Sequence, residues 1–211
     1  MNIESSFDYL LKIIIVGDST VGKSNFLFRF VEDKFSPVYQ TTVGIDLQSK
    51  ICTLPKLKKN VKLQLWDTAG QERYMSLNKI FFQRVQGIIL MYDITQRDSF
   101  ENLPKWIKLI NETTYKTPVI LVGNKVDNDE ERIVREEEGV NFAKDNGYLF
   151  YESSALSGKN VNNVLYDLSE KIISTFENSF SLTLSESDFL DKEDIQKIKK
   201  KEKDNRQEKC C

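Results

Sequence analysis

Short, continuously apolar stretches alternate with amphipathic stretches along most of the chain. The apolar stretches are rich in β-branched and aliphatic residues, which is typical of strands buried on both faces of a mostly parallel sheet. They are Leu10–Val16, Val61–Trp66, Gly87–Asp93, Pro118–Asn124 and Tyr148–Ser154. The amphipathic stretches have the spacing of helices that pack on such a sheet. They are Lys23–Glu32, Ser99–Thr113, Glu136–Asn146 and Asn160–Phe176.

One further strand, Ile45–Thr53, precedes the lysine-rich sequence "LPKLKKN" and then Val61–Trp66. This arrangement predicts a hairpin with a basic, exposed turn. The chain is therefore predicted to be an α/β domain. Its six-stranded, mostly parallel sheet has one antiparallel strand, and helices cover both faces. In the last helix, six apolar residues predict a single packing stripe: Val161, Val164, Leu165, Leu168, Ile172 and Ile173.

The composition changes towards the end of the sequence. From Ser181 onward there is no glycine, one aromatic residue and a high density of charge, which is typical of a mobile segment. We expect a folded domain over residues 1–178 and a flexible tail over residues 179–211, with a short helix around Asp188–Lys201 as a further expectation.

Composition excludes several classes of function. Across 211 residues the net charge is −2 and the hydrophobic fraction is 40%, which favours a soluble globular protein without an overall attraction to nucleic acid. Histidine is absent, so histidine-ligated metals, Ser-His-Asp triads and imidazole bases are excluded. The sequence shows no signal peptide and no apolar run of membrane-spanning length. Its three cysteines do not suggest a secreted disulfide framework, so we expect a cytosolic chain.

The sequence "GDSTVGKS", Gly17–Ser24, lies between a predicted strand and a predicted helix. It fits the phosphate-binding pattern G-x-x-x-x-G-K-[ST], in which backbone amides and the helix N-terminus bind phosphate. Lys23 would contact the β- and γ-phosphates, and the Ser24 hydroxyl would bind Mg²⁺. The alternative is a glycine-containing turn without a ligand, and the complete motif in this context favours nucleoside triphosphate. The assigned residues are Ser19, Thr20, Val21, Gly22, Lys23, Ser24 and Asn25.

Two further segments indicate which base is bound. The Asp127 carboxylate in "NKVD" can accept hydrogen bonds from guanine N1–H and the exocyclic amine, whereas adenine offers neither, so a site built on them can reject adenine. "SSAL", Ser153–Leu156, follows the next strand and can place a backbone amide at guanine O6. Either segment alone is weak, because many loops contain such residues. Their positions at neighbouring strand ends indicate a guanine site.

The sequence "WDTAGQER" ends the second strand of the hairpin and carries candidate catalytic chemistry. Asp67 can hold Mg²⁺ directly or through water, and a helix N-cap is its alternative role. The Gly70 amide can donate to a γ-phosphate. Gln71 can orient the attacking water, and in a chain without histidine an amide is a natural candidate.

Together these motifs resemble a Rab-type small GTPase of the Ras superfamily, over Leu11–Glu177. They are GDSTVGKS, the switch threonine in YQTTVGID, WDTAGQER, NKVD and SSAL. The Rab type is indicated by KLQLW, RYMSL, GIILMYDIT and the final double cysteine in place of C-a-a-X. The resemblance implies a P-loop NTPase fold for the predicted sheet and a GTPase domain over residues 1–178.

The resemblance also implies roles for single residues. Thr42 would bind Mg²⁺ and the γ-phosphate, and the following Val-Gly-Ile-Asp favours it over Thr41. Phe35 would lie against the guanine and Tyr39 over the phosphates. Lys125 would lay its aliphatic stem on the base, and Asn124 would support the P-loop. Beyond the P-loop, the nucleotide-binding residues are then Phe35, Tyr39, Thr42, Gly70, Asn124, Lys125, Asp127, Ser154, Ala155 and Leu156.

The chain departs from the family at the surface that binds effectors. Trp66 and Phe81 resemble two members of a surface aromatic triad, with core packing as the alternative, while Leu47 stands where the family has phenylalanine. "FFQRV" replaces the usual Y-Y-R-G-A. Leu156 replaces the lysine of S-A-K, and because leucine can also pack on a purine we expect guanine binding to persist.

The implied function is a membrane-anchored switch in vesicle trafficking that slowly hydrolyses GTP to GDP. Because neither the P-loop nor switch I supplies an arginine, rapid turnover would need one from a partner. Geranylgeranyl groups on Cys210 and Cys211, helped by nearby lysines, would give stable attachment.

We expect a monomer at the cytoplasmic face of an intracellular membrane, cycling with the cytosol. Its partners would be an exchange factor, a GTPase-activating protein, a GDP-dissociation inhibitor and effectors. A P-loop kinase or ATPase and a GTP-binding scaffold without hydrolysis are the alternatives.

Overall fold

A computed structural model of the chain describes residues 6–36, 45–68 and 82–182. The chain divides into two units after Ser174. The fold below is that of the first unit, with the last helix given to its end at Leu182. The boundary predicted at residue 178 and the short tail helix stay predictions. The predicted site residues outside the described ranges are Tyr39, Thr41, Thr42, Gly70, Gln71, Phe81, Cys210 and Cys211.

Six strands form one sheet within the described residues. They are β1 (Tyr9–Val16), β2 (Ile45–Leu54), β3 (Lys59–Thr68), β4 (Gly87–Asp93), β5 (Val119–Asn124) and β6 (Leu149–Glu152). Their order across the sheet is β2-β3-β1-β4-β5-β6. Strands β2 and β3 are antiparallel, and every other neighbouring pair is parallel. The predicted sheet with one antiparallel strand is confirmed.

Helices cover both faces of this sheet. The helices of the described residues are α1 (Lys23–Glu32), α2 (Arg97–Glu101), α3 (Leu103–Thr113), α4 (Glu136–Asn146) and α5 (Val161–Leu182). Alternate residues of β1 face opposite sides: Ile13 joins the apolar core beneath α1 and α5, whereas Ile14 joins the core beneath α3 and α4. All seven residues of β4 are buried, because a central parallel strand has no solvent face.

Most predicted helices are confirmed, with one correction. Helices α1 and α4 have the predicted bounds, and all six apolar residues of the predicted α5 stripe are buried. The single helix predicted over Ser99–Thr113 is wrong, because α2 ends at Glu101 and α3 begins at Leu103. Pro104 lies in the first turn of α3, where the missing proline N–H costs no helical hydrogen bond. Proline therefore marks a new helix start.

The β2–β3 hairpin has the predicted exposed, basic turn. The turn comprises residues 55–58 and is shorter than the predicted connecting sequence "LPKLKKN", since β2 extends to Leu54 and β3 begins at Lys59. Lys56 within it lies 2.6 Å from Asp167 and 3.1 Å from Glu170 on α5. In the part of the chain that the structure describes, no helix is long and apolar enough to span a bilayer.

Candidate nucleotide-binding site

The P-loop connects the end of β1 to the start of α1, and two of its glycines are required by the backbone. Gly17 has φ +143°, and a Cβ there would lie 2.1 Å from the Met91 carbonyl oxygen. Gly22 has φ +99°, and a Cβ there would lie 2.5 Å from the Asn124 amide nitrogen. A side chain at either position would move the loop away from the neighbouring strands.

Lys23 is buried at the first turn of α1. Its ammonium group donates to the carbonyl oxygens of Gly17, at 2.8 Å, and Asp18, at 2.7 Å. Burial lowers the pKa of Lys23 to about 8, while the negative charges of Asp67 and Asp18 oppose that change. A buried cation gains from a nearby anion, so this side chain favours phosphate binding in the loop.

Two side-chain oxygens, of Ser24 and Asp67, lie together in the site. The Ser24 hydroxyl donates to Asp67 Oδ2 at 2.5 Å, and Asp67 is buried near the end of β3. Among the described residues, no group of three or more histidine, cysteine, aspartate or glutamate side chains could hold a metal ion. This donor set fits Mg²⁺, which typically binds one or two carboxylates and takes further oxygens from phosphates and water.

Asn124 joins the P-loop to the loops that follow β5 and β6. Its side-chain amide donates to the Val21 carbonyl at 2.9 Å, and its side-chain oxygen accepts from the Ser153 hydroxyl at 3.2 Å. The backbone N–H of Val126 donates to the Ser153 carbonyl at 3.1 Å. These bonds place the predicted phosphate-binding and base-binding segments in a single site.

The Asp127 carboxylate is held by the loop after β6. The Ser154 hydroxyl donates to Asp127 Oδ1 at 2.5 Å and accepts from the Ser157 N–H at 2.9 Å. Lys125 adopts φ +69° and pairs with the fully buried Asp93 at 2.7 Å. A serine and a buried carboxylate therefore fix the two predicted base-contacting side chains.

The remaining predicted residues surround this centre. Ser19 and Thr20 are exposed, Val21 is buried, and the Asn25 side chain accepts from the Ser36 N–H at 3.4 Å. Phe35 is half-buried against the core beneath α1. In the loop after β6, Ala155 is buried and Leu156 is exposed.

On the predicted effector surface, Leu47 is exposed and pairs in register with Trp66. Trp66 is half-buried against the core beneath α3 and α4, and the Lys12 ammonium lies 4.4 Å from the centre of its ring. Trp66 thus combines partial core packing with partial exposure.

Several supporting residues carry little signal in the sequence. The Asp18 carboxylate accepts from the Trp106 indole N–H at 2.8 Å and from the Asn102 amide at 2.7 Å. Arg132 donates to both oxygens of the buried Glu152, at 2.6 and 2.9 Å, and so joins the segment after Asp127 to β6. A charged residue beside a P-loop glycine hints that Asp18 needs a partner, but only the fold identifies Trp106.

Comparisons with known proteins show the family of the chain. The model of the Ras family matches residues 12–174. Ras-related protein SEC4 of Saccharomyces cerevisiae is 46% identical over 168 residues, which cover 79% of this chain and 77% of the relative. Human Ras-related protein Rab-3D is 42% identical over 170 residues, covering 80% and 77%, and human Rab-3B is 46% identical over 153 residues, covering 72% and 69%. The chain therefore belongs to the Ras family, as a small GTPase of the Rab type.

Proposed function

We propose that the chain is a guanine-nucleotide switch in vesicle trafficking, which binds GTP and GDP and hydrolyses GTP slowly. The observation that carries this proposal is the position of Asn124, whose side chain bonds to both the P-loop and the loop after β6. These bonds join the predicted phosphate-binding and base-binding segments, which are distant in the sequence, and this supports a single nucleotide site.

The predicted site residues would hold the phosphates and the attacking water. Lys23 and the P-loop amides would bind the β- and γ-phosphate oxygens, and Ser24 and Asp67, with Thr42, would hold Mg²⁺. When bound, that ion neutralises charge on the phosphates. Gln71 would orient the attacking water, and the Gly70 amide would donate to the γ-phosphate.

The base would be read by Asp127 and Ala155. The Asp127 carboxylate, held by Ser154, would accept from guanine N1–H and the exocyclic amine, and the Ala155 amide would donate to O6. Phe35, Lys125 and Leu156 would pack around the ring. A site built on these donors and acceptors rejects adenine, which would leave buried polar groups unpaired.

Turnover would be slow because the P-loop sequence contains no arginine. An arginine supplied by a GTPase-activating protein accelerates this chemistry by about 10³ to 10⁵. Thr42 and Gly70 would order the switch segments only while the γ-phosphate is bound. Exchange factors would reload the monomeric protein, and effectors would bind through Leu47, Trp66 and Phe81.

Membrane attachment would come from geranylgeranyl groups on Cys210 and Cys211. Two lipid chains give stable anchoring where one is marginal, and a GDP-dissociation inhibitor would return the protein from the cytoplasmic face of its membrane to the cytosol. Mass spectrometry of protein isolated from eukaryotic cells should find both thiols modified. The Cys210→Ser/Cys211→Ser double variant should stay in the supernatant when sedimented with anionic vesicles, and its co-sedimentation to the wild-type extent would contradict the anchor.

The hydrolysis proposal is tested by γ-phosphate release in single turnover with GTP and Mg²⁺. The wild type should release phosphate slowly and Gln71→Leu more slowly still, whereas Gln83→Leu, a change at an exposed glutamine, should match the wild type. Tightly bound GTP with no release from any of the three would identify a scaffold. Preferential turnover of ATP would identify an ATPase or kinase.

A further inference from the structure

The guanidinium of Arg29 on α1 bonds to the loop after β6 as well as to its own helix end. Its Nε donates to the Ala155 carbonyl at 2.8 Å and its Nη2 to the Leu156 carbonyl at 2.6 Å. Its Nη1 donates to the Asp33 carbonyl at 3.0 Å. Lys23 begins the same helix, about 9 Å along the axis for six residues at about 1.5 Å each. The same helix thus carries Lys23, which is predicted to bind phosphate, and Arg29, which holds the loop after β6.

Hydrogen bonds hold the backbone on both sides of the Ala155 N–H. On one side, the Ser154 carbonyl accepts from the Gly158 N–H at 2.9 Å. In a trans peptide the N–H points opposite to that carbonyl, so the Ala155 N–H points away from Gly158. On the other side, Arg29 holds the Ala155 carbonyl. Rotation of this N–H would break a bond on at least one side.

The Ala155 N–H has no acceptor among the described residues of its loop. Within the described residues, the hydrogen bonds of this loop include no acceptor for the Ala155 N–H, although the residue is only 5% exposed. Backbone N–H groups of buried residues almost always have a partner. Guanine O6 is an acceptor of the required kind.

We propose that Arg29 is a positioning residue for guanine recognition. By holding the Ala155 and Leu156 carbonyls, it directs the Ala155 N–H at O6 of the base. The inference rests on the proposed function, since O6 must be bound there for the orientation of this amide to matter.

An arginine suits this role because its planar group presents several donors in fixed directions. A lysine has one ammonium nitrogen and would not hold both loop carbonyls in the same geometry. The carboxylate of Asp33 is a lesser partner: it lies 3.7 Å from Arg29 Nη1 and is 95% exposed, so solvent screens the pair.

The test compares the affinities of GDP, 6-thio-GDP and ADP in competition binding with Mg²⁺. Replacement of O6 by sulfur weakens that acceptor and retains N1–H and the exocyclic amine. The wild type should prefer GDP over 6-thio-GDP. Arg29→Ala should reduce this preference about fivefold to tenfold, the contribution of one hydrogen bond, while it still rejects ADP through Asp127.

Three further variants keep the result interpretable. Arg29→Lys retains the charge and should also lose the preference, so it serves if Arg29→Ala does not fold. Asp33→Asn leaves the carbonyl bonds intact and should keep the preference. Arg97→Ala should also keep it, because Arg97 donates to Glu138 and to the Ile133 carbonyl instead.

The outcomes separate this inference from the proposed function. An Arg29 variant that retains the wild-type ratio of GDP to 6-thio-GDP affinity overturns the inference alone, even if its overall affinity falls. A wild type that rejects ADP but binds both guanine nucleotides equally also overturns it. A wild type that binds ADP as tightly as GDP refutes the proposed function.

Discussion

Replacement of Asn124 by alanine removes the side chain that joins the P-loop to the loop after β6. Asn124 is 1% exposed, so water cannot readily replace its bonds. The substitution deletes the donor to the Val21 carbonyl at 2.9 Å and the acceptor of the Ser153 hydroxyl at 3.2 Å. Both partners lie in segments assigned to the nucleotide or beside them. The substitution should therefore lower both the free energy of unfolding and the affinity for nucleotide.

The expected loss follows from these two bonds. A buried polar group left without a partner costs about 1–3 kcal/mol, so the loss of both bonds should total about 2–6 kcal/mol. Urea unfolding at saturating GDP and Mg²⁺ measures the combined effect on folding and on nucleotide binding, because bound ligand adds to the free energy of unfolding. GDP dissociation should also accelerate markedly.

The matched control is Asn163→Ala. The exposed Asn163 side chain donates to the neighbouring Asn160 side chain at 3.1 Å, so the substitution should lower the free energy of unfolding by no more than about 0.5 kcal/mol. The proposed connection between the loops would be refuted if Asn124→Ala also lowered the free energy of unfolding by less than about 0.5 kcal/mol and released GDP at the wild-type rate.

Three further substitutions test separate features. Trp106→Phe removes the indole donor to Asp18 and should lower the free energy of unfolding in urea by about 1.5–3 kcal/mol, the range for bonds to charged groups; an unchanged value would show that this bond adds nothing. Thr20→Gly should raise that free energy by about 1 kcal/mol, because Thr20 has φ +67° and a β-branched residue is strained there; a loss of stability would contradict this reasoning. For Glu138, the hydrogen bonds from Arg97 hold the pKa at about 2. Its stabilisation relative to Glu138→Gln should be constant above about pH 5, since the unfolded pKa is about 4.3, and disappear as the pH falls towards 2; a difference that persists there would contradict the assignment.

Local signals explain which elements of the fold could be predicted. Helix α4 has the predicted bounds because both of its ends are encoded nearby: Glu138 accepts from the Arg135 N–H at its start, and Gly147 at φ +70° follows its end. The break at Asn102 was not predicted, because the apolar spacing continues across it. Pro104 was its one local sign.

The site divides in the same way. Each of the segments Gly17–Ser24 and Asn124–Asp127 is a run of consecutive residues, so each motif could be recognised in the sequence. Periodicity predicts which face of a helix is buried, but it does not specify which acceptor lies opposite a polar side chain. The bond from Arg29 to Ala155 spans 126 residues, and only the three-dimensional fold identifies it.

The identity of the bound base tests the central claim most directly. Protein purified with Mg²⁺ would be denatured, and the released nucleotide would be separated and quantified by chromatography. A guanine nucleotide near one equivalent per chain is the predicted result, because Asp127 and the loop after β6 form one site with the P-loop. An adenine nucleotide in its place would contradict the assignment of Asp127 and, with it, the proposed switch.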